Sequence, residues 1–184
     1  MPFCLDYKQI YEYYSKIATD CSNKNWKILK TDTHNESGIW GDISKPLAPI
    51  LAQGNQLTCV EIDSTVLNLA KKNFPDLDLR EGDIRNLNEL EHYDLLLDFS
   101  TIDHVNHDEF PSILKSYSKI ADRISIIVWL SDTRPNSKTQ NFFKNWDFRK
   151  AFYEHIGEFD EKLLYAEIGA SLVHFRSKSC LGNI

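Results

Sequence analysis

The chain has 184 residues, 42% hydrophobic and 26% charged, which suits one globular domain with a buried core and excludes a disordered or fibrous chain. Its formal net charge is −6, and its lysines and arginines are dispersed, which argues against a nucleic-acid partner gripped through phosphates. No apolar run reaches the ~18–20 residues of a membrane span.

The first residues lack the basic-then-apolar pattern of a signal peptide, so a cytoplasmic location is expected. Cys4, Cys21, Cys59 and Cys180 are scattered without a C-x-x-C pair, as reduced thiols would be.

In chain order, residues 5–20 predict an amphipathic helix, with Tyr7, Ile10, Tyr11, Tyr14 and Ile17 on one face. Residues 26–29 predict a first strand, and residues 31–38 a polar loop after it. Residues 47–51 are helix-like, although Pro46 and Pro49 blur the start. A second strand at 57–60 ends on Glu61, and Val66, Leu67 and Ala70 stripe a helix over 64–73. Residues 77–79 lead into Gly82-Asp83, residues 87–90 form a short turn or helix, and 93–99 is a fourth strand opening into Ser100-Thr101-Ile102-Asp103-His104. A helix follows over 110–120. The unbroken apolar run 124–130 is that of a central parallel strand covered on both faces. Residues 131–139 resemble a mobile polar loop. An aromatic-rich helix is expected over 141–154, and 163–168 and 171–175 would close the sheet as a pair around Gly169.

Strands alternating with helices argue for βαβ units and a mainly parallel sheet. Ligands of such sheets sit beyond the carboxyl ends of the strands. An acid there, with a second acid one βα unit later, is what holding a nucleoside requires: the first accepts from ribose hydroxyls, the second from an adenine amino group. Glu61 and Asp83 stand in those places. Each also has a plainer reading. An acid after a strand commonly caps a helix, a role for which Asp63 and Ser64 are better placed, and Asp83 could close a turn with Gly82.

These segments together resemble the class I S-adenosylmethionine-dependent methyltransferases over roughly residues 26–130. Residues 59–72 look like the family's second strand and following helix, Glu81-Gly82-Asp83-Ile84 like its third motif, and 93–105 like its fourth strand and post-strand loop. The resemblance implies a three-layer, Rossmann-like, doubly wound α/β fold with a mainly parallel seven-stranded sheet, and S-adenosylmethionine as cofactor. It implies that Glu61 binds the ribose, that Asp83 contacts the adenine with Ile84 stacked beside it, and that Ile62, Asp98 and Ser100 complete the cofactor site.

The family's first motif is usually glycine-rich. Here the strand runs Lys30-Thr31-Asp32-Thr33-His34-Asn35-Glu36, with no glycine before Gly38. The resemblance implies that Asp32 meets the cofactor's ammonium and that Glu36 supports it. It also implies that the N-terminal helix lies over the cofactor, with Tyr11 or Tyr14 touching it.

Methyl transfer from a sulfonium is a direct displacement that needs alignment and, where required, proton removal. His104 has the intrinsic pKa for that base, with Asp103 to orient it. Both could instead cap the next helix. With His107 and Asp108 they suggest a metal cluster, but convergence in space is required for one, and no metal is expected.

The whole chain is expected to form one methyltransferase-like domain: an N-terminal helical segment (1–25), a cofactor-binding core (26–130) and a substrate-side loop, helix and closing strands (131–184). The acceptor is expected to be a small molecule, recognised by the N-terminal helix, by residues 131–155 or by a partner chain, a homo-oligomer included. Two other readings stand beside it. One is a catalytically inactive relative used as a binding module. The other is an NAD(P)-dependent oxidoreductase, which would need a glycine-rich pyrophosphate turn that residues 30–38 do not offer.

Overall fold

The computed structural model describes residues 6–87, 90–131, 143–167 and 170–180, without the side chains of 143–146, 167 and 180. Helix α1 (Tyr7–Cys21) starts in a capping box: Asp6 accepts from the backbone N–H of Gln9, whose side chain bonds back to the Asp6 N–H. Strands β1 (Lys27–Lys30), β2 (Gln56–Glu61), β3 (Asp78–Glu81), β4 (Tyr93–Phe99) and β5 (Ala121–Ser131) are mutually parallel. Strands β7 (Phe159–Glu167) and β8 (Ala170–Ser177) form an antiparallel pair that docks β8 against β5. The order across the sheet is β3-β2-β1-β4-β5-β8-β7, and the two-residue β6 (Phe143–Lys144) pairs with the end of β5.

Alternation along each strand builds two cores. Ile28, Leu95 and Leu97 face the layer of α1, α3 (Ala48–Leu51) and α4 (Ser64–Asn73). Leu29, Leu96 and Ile124 face the layer of α5 (Phe110–Ile120) and α6 (Asn145–Ile156). Both faces of the parallel sheet are therefore covered, which is why β4 and β5 read as continuous apolar runs.

The segment read as a polar loop, 31–38, instead contains a buried turn of helix, α2 (His34–Ser37), ended by Gly38 at φ 76°. Hydrogen bonds satisfy its polar groups: Asn73 Nδ2 on α4 donates to the carbonyls of Glu36 and Ser37 at 3.0 and 3.2 Å. The aromatic helix is core. Phe148 and Phe152 on α6 are fully buried against Phe175, with Phe159 on Phe152. That packing lengthens the closing strands toward Phe159. The expected loop at 131–139 lies outside the described residues except for Ser131, as do Asn88 and Glu89 of the turn over 87–90, Gly169 between the closing strands, and the start of the helix expected from 141. No described helix is long and apolar enough to cross a membrane.

Candidate active site

A cavity of about 350 Å³ opens at the carboxyl edge of the parallel strands, within the size range of small-molecule sites. The β1–α2 turn supplies Asp32 and His34, the end of β2 supplies Glu61 and Ile62, and the end of β4 supplies Ser100 and His104. Helix α1 covers it with Tyr7, Ile10, Tyr11 and Tyr14, and Trp129 of β5 closes the far wall.

Beneath the β1 end lies a buried charge cluster. Lys30 Nζ donates to Asp32 Oδ1 at 2.9 Å and to Glu36 Oε2 at 3.0 Å, and the Lys30 and Glu36 side chains have no solvent exposure. Burial alone would lower the Lys30 pKa, but the Asp32 and Glu36 carboxylates outweigh it and raise it. The second oxygen of Glu36 accepts from the backbone N–H groups of Leu47 and Ala48, both at 2.8 Å, at the start of α3. Glu36 is thus the hub that ties β1, α2 and α3 together. It does not line the cavity, and it reaches Asp32 only through Lys30.

Glu61 is 4% exposed and faces the cavity from the end of β2. It accepts from the Thr33 N–H at 3.0 Å, the Thr33 hydroxyl at 3.3 Å and the Asp63 N–H at 2.9 Å. Ile62 lines the same wall and is exposed. Asp63 takes the capping role, accepting from the Thr65 and Val66 N–H groups at the start of α4.

Asp83 and Ile84 do not line the cavity. The Asp83 carboxylate is held by Arg85, with both oxygens 2.9 Å from Nε, and this pairing lowers its pKa. Ile84 is buried in the core against the layer of α5. A neighbouring arginine and the apolar core hold these two side chains.

Asp98 is not in the wall either. It is 1% exposed beneath the β4 end, where it accepts from the Thr101 N–H at 2.7 Å, the Ile102 N–H at 3.3 Å and the Tyr117 hydroxyl at 2.8 Å. Burial pushes its pKa up to about 6, against the pull of these donors. Thr101 links it to the cavity, because its hydroxyl donates to Asp32 Oδ2 at 3.3 Å. Ser100 lines the cavity with φ 65°, a left-handed conformation that strains a non-glycine residue.

Asp103 and His104 are not paired. Asp103 Oδ1 accepts from the Trp129 N–H at 3.0 Å, which fastens the β4–α5 loop to β5, and burial holds its pKa well above the usual carboxylate range. His104 is exposed at the cavity wall on the short 3₁₀ turn Ile102–His104. Adjacent residues on such a turn point in different directions, which separates the two. Among the described residues no group of three or more His, Cys, Asp or Glu side chains could hold a metal ion.

Sequence reasoning missed Lys30, His34, Trp40 and Trp129 as parts of the site. A lysine ending an apolar strand, with acids two and six residues later, was a usable signal for the first. The tryptophans carried none.

No family model matches the chain, and no curated protein is similar to it in sequence. Solved structures are similar in fold. A TehB-like SAM-dependent methyltransferase from Corynebacterium glutamicum aligns over 90% of this chain and 87% of its own, with a TM-score of 0.61 and 13% identity. The N-terminal domain of EvdMO1, solved with S-adenosylhomocysteine and D-fucose, aligns over 91% of this chain and 82% of its own, with a TM-score of 0.67 and 12% identity. The N-methyltransferase NodS from Bradyrhizobium japonicum, in complex with S-adenosylhomocysteine, aligns over 92% and 88%, with a TM-score of 0.65 and 11% identity. The protein has the fold of the class I S-adenosylmethionine-dependent methyltransferases, with its seven-stranded, mostly parallel sheet covered by helices on both sides.

Proposed function

We propose that the protein is an S-adenosylmethionine-dependent methyltransferase acting on a small-molecule acceptor. The observation that carries this reading is the pair of carboxylates, Asp32 and Glu61, at the ends of adjacent strands β1 and β2 in one cavity wall. A carboxylate accepts about four hydrogen bonds. Glu61 has three internal donors, leaving room on Oε1 for a ribose hydroxyl. Asp32 also has three side-chain or backbone donors, Lys30, His34 and Thr101, leaving room on Oδ2 for an ammonium. Ile62 offers an apolar surface beside Glu61 for the adenine. The residues present therefore fit the cofactor's ribose and amino-acid ends without a glycine-rich turn.

Bound there, the cofactor supplies a methyl group on a sulfonium. The α1 tyrosines shield the cavity from water, and the β4 end, with Ser100 and His104, aligns the acceptor. His104 takes the proton that the acceptor loses. Solved proteins of this fold support a small-molecule acceptor: EvdMO1 was solved with D-fucose, and ChlM from Synechocystis, solved with bound SAM, is a magnesium protoporphyrin IX methyltransferase.

Calorimetric titration with S-adenosylmethionine, S-adenosylhomocysteine and NAD tests the reading. Micromolar binding of both sulfur compounds is expected, with none of NAD, whose pyrophosphate the wall carboxylates repel. Glu61→Gln should weaken binding roughly 10–100-fold, as loss of a charged hydrogen-bond acceptor does. A folded protein that binds neither sulfur compound would overturn the assignment in favour of a binding module.

A further inference from the structure

Part of the cavity wall is built of aromatic rings. Tyr11 meets Tyr14 edge-on with centroids 5.4 Å apart, and Tyr14 tilts onto Phe99 at 4.9 Å. Trp129 continues the wall, backed edge-on by Tyr165 at 5.4 Å. Three carboxylates, Asp32, Glu61 and Asp63, line the cavity beside the imidazoles of His34 and His104, and no described lysine or arginine does. Lys30, behind Asp32, is buried and paired with Asp32 and Glu36.

Charge must move through this space during transfer. A carboxylate or phosphate acceptor reacts as an anion; the described wall offers it no lysine or arginine, and its three carboxylates would repel it. An amine reacts neutral and becomes positive as the sulfonium loses its charge. Aromatic faces and a surrounding carboxylate field both favour that positive nitrogen.

We propose that the acceptor is an amine with an apolar or aromatic body, and that the enzyme is an N-methyltransferase selective against carboxylate and phosphate acceptors. The inference rests on the cofactor reading above. The nitrogen lone pair forms the new N–C bond as the C–S bond breaks, and both electrons of the broken bond stay on sulfur. The ammonium proton then passes to His104, which lines the same cavity.

The test uses the intact protein saturated with S-adenosylhomocysteine, whose own binding is measured first. Three probes of similar shape are then titrated: benzyltrimethylammonium as the product-like cation, neopentylbenzene as its neutral isostere and phenylacetate as an anion. The cation is expected to bind at least about tenfold more tightly than the isostere, with no binding of phenylacetate. Tyr11→Leu should remove that preference and Tyr11→Phe should keep it, with circular dichroism confirming that both fold. Equal binding of cation and isostere, tighter binding of phenylacetate, or no binding of any probe to the loaded protein would overturn the amine assignment and leave the cofactor reading standing. Absence of S-adenosylhomocysteine binding would overturn both.

Discussion

Lys30 Nζ lies 3.0 Å from Glu36 Oε2, and neither side chain has any solvent exposure. This ion pair closes the β1–α2 turn, which holds no glycine before Gly38. Asp32, on the same ammonium, is the member that reaches the cavity.

Lys30→Met is expected to destabilise the protein by about 3–5 kcal/mol, because it strands two buried carboxylates. Adding Glu36→Gln should recover part of that loss. Urea unfolding at pH 7 measures both. The folded state raises the Lys30 pKa, so its contribution is present at neutral pH and is lost only as pH rises above the ordinary lysine range.

Asp98 contributes pH dependence of the same sign in a lower pH window. Its folded pKa of about 6 lies above the ordinary aspartate value of 3.8, so between those values the folded state binds more protons and stability falls as pH rises. Asp98→Asn removes that penalty while leaving an oxygen for the Thr101 N–H. From pH 4 to pH 7 the difference in unfolding free energy should shift in the variant's favour by up to about 3 kcal/mol, at ~1.4 kcal/mol per pKa unit. Urea curves at pH 4, 5, 6 and 7 would show a pH-independent difference if the carboxyl were not perturbed.

The His174 imidazole is buried between the Ser125 hydroxyl at 2.7 Å and the Tyr13 hydroxyl at 3.0 Å, so it joins β5 and β8 to α1. Burial depresses its pKa to about 3, so its contribution is present above pH 6.5 and is lost as pH falls toward 3. Tyr13→Phe should cost about 1 kcal/mol. Because α1 carries Tyr11 and Tyr14 over the cavity, it should also speed amide exchange across Tyr7–Cys21 and weaken S-adenosylhomocysteine binding. Unchanged exchange there would show that the latch does not hold the helix.

His104→Ala is expected to lower methyl-transfer turnover roughly 100-fold with S-adenosylhomocysteine affinity unchanged, the signature of a lost proton acceptor. Asp103→Asn should act differently. Its carboxyl holds the Trp129 N–H and not His104, so the loss should fall on stability. Steady-state kinetics beside thermal unfolding separates the two.

The alternation of strands and helices was legible because burial on both faces of a parallel sheet imprints continuous apolar runs on the chain. The place of Glu61, Ile62, Ser100 and His104 at the cavity was legible because strand ends are where such a sheet exposes side chains. Asp83 and Asp98 stand at the same kind of position, yet one is taken by Arg85 and the other by Tyr117. Which acid keeps a free oxygen depends on neighbours supplied by distant segments.

The βαβ order, the apolar core strands and the acids at the strand ends follow from local periodicity along the chain. The burial of Lys30 with Asp32 and Glu36, the packing of α6 into the core and the α1 tyrosines in the cavity wall arise on folding. Those outcomes turn on side chains that meet across the sheet, and hydrogen-bond and charge compensation between residues far apart in the chain leaves no periodic mark within it.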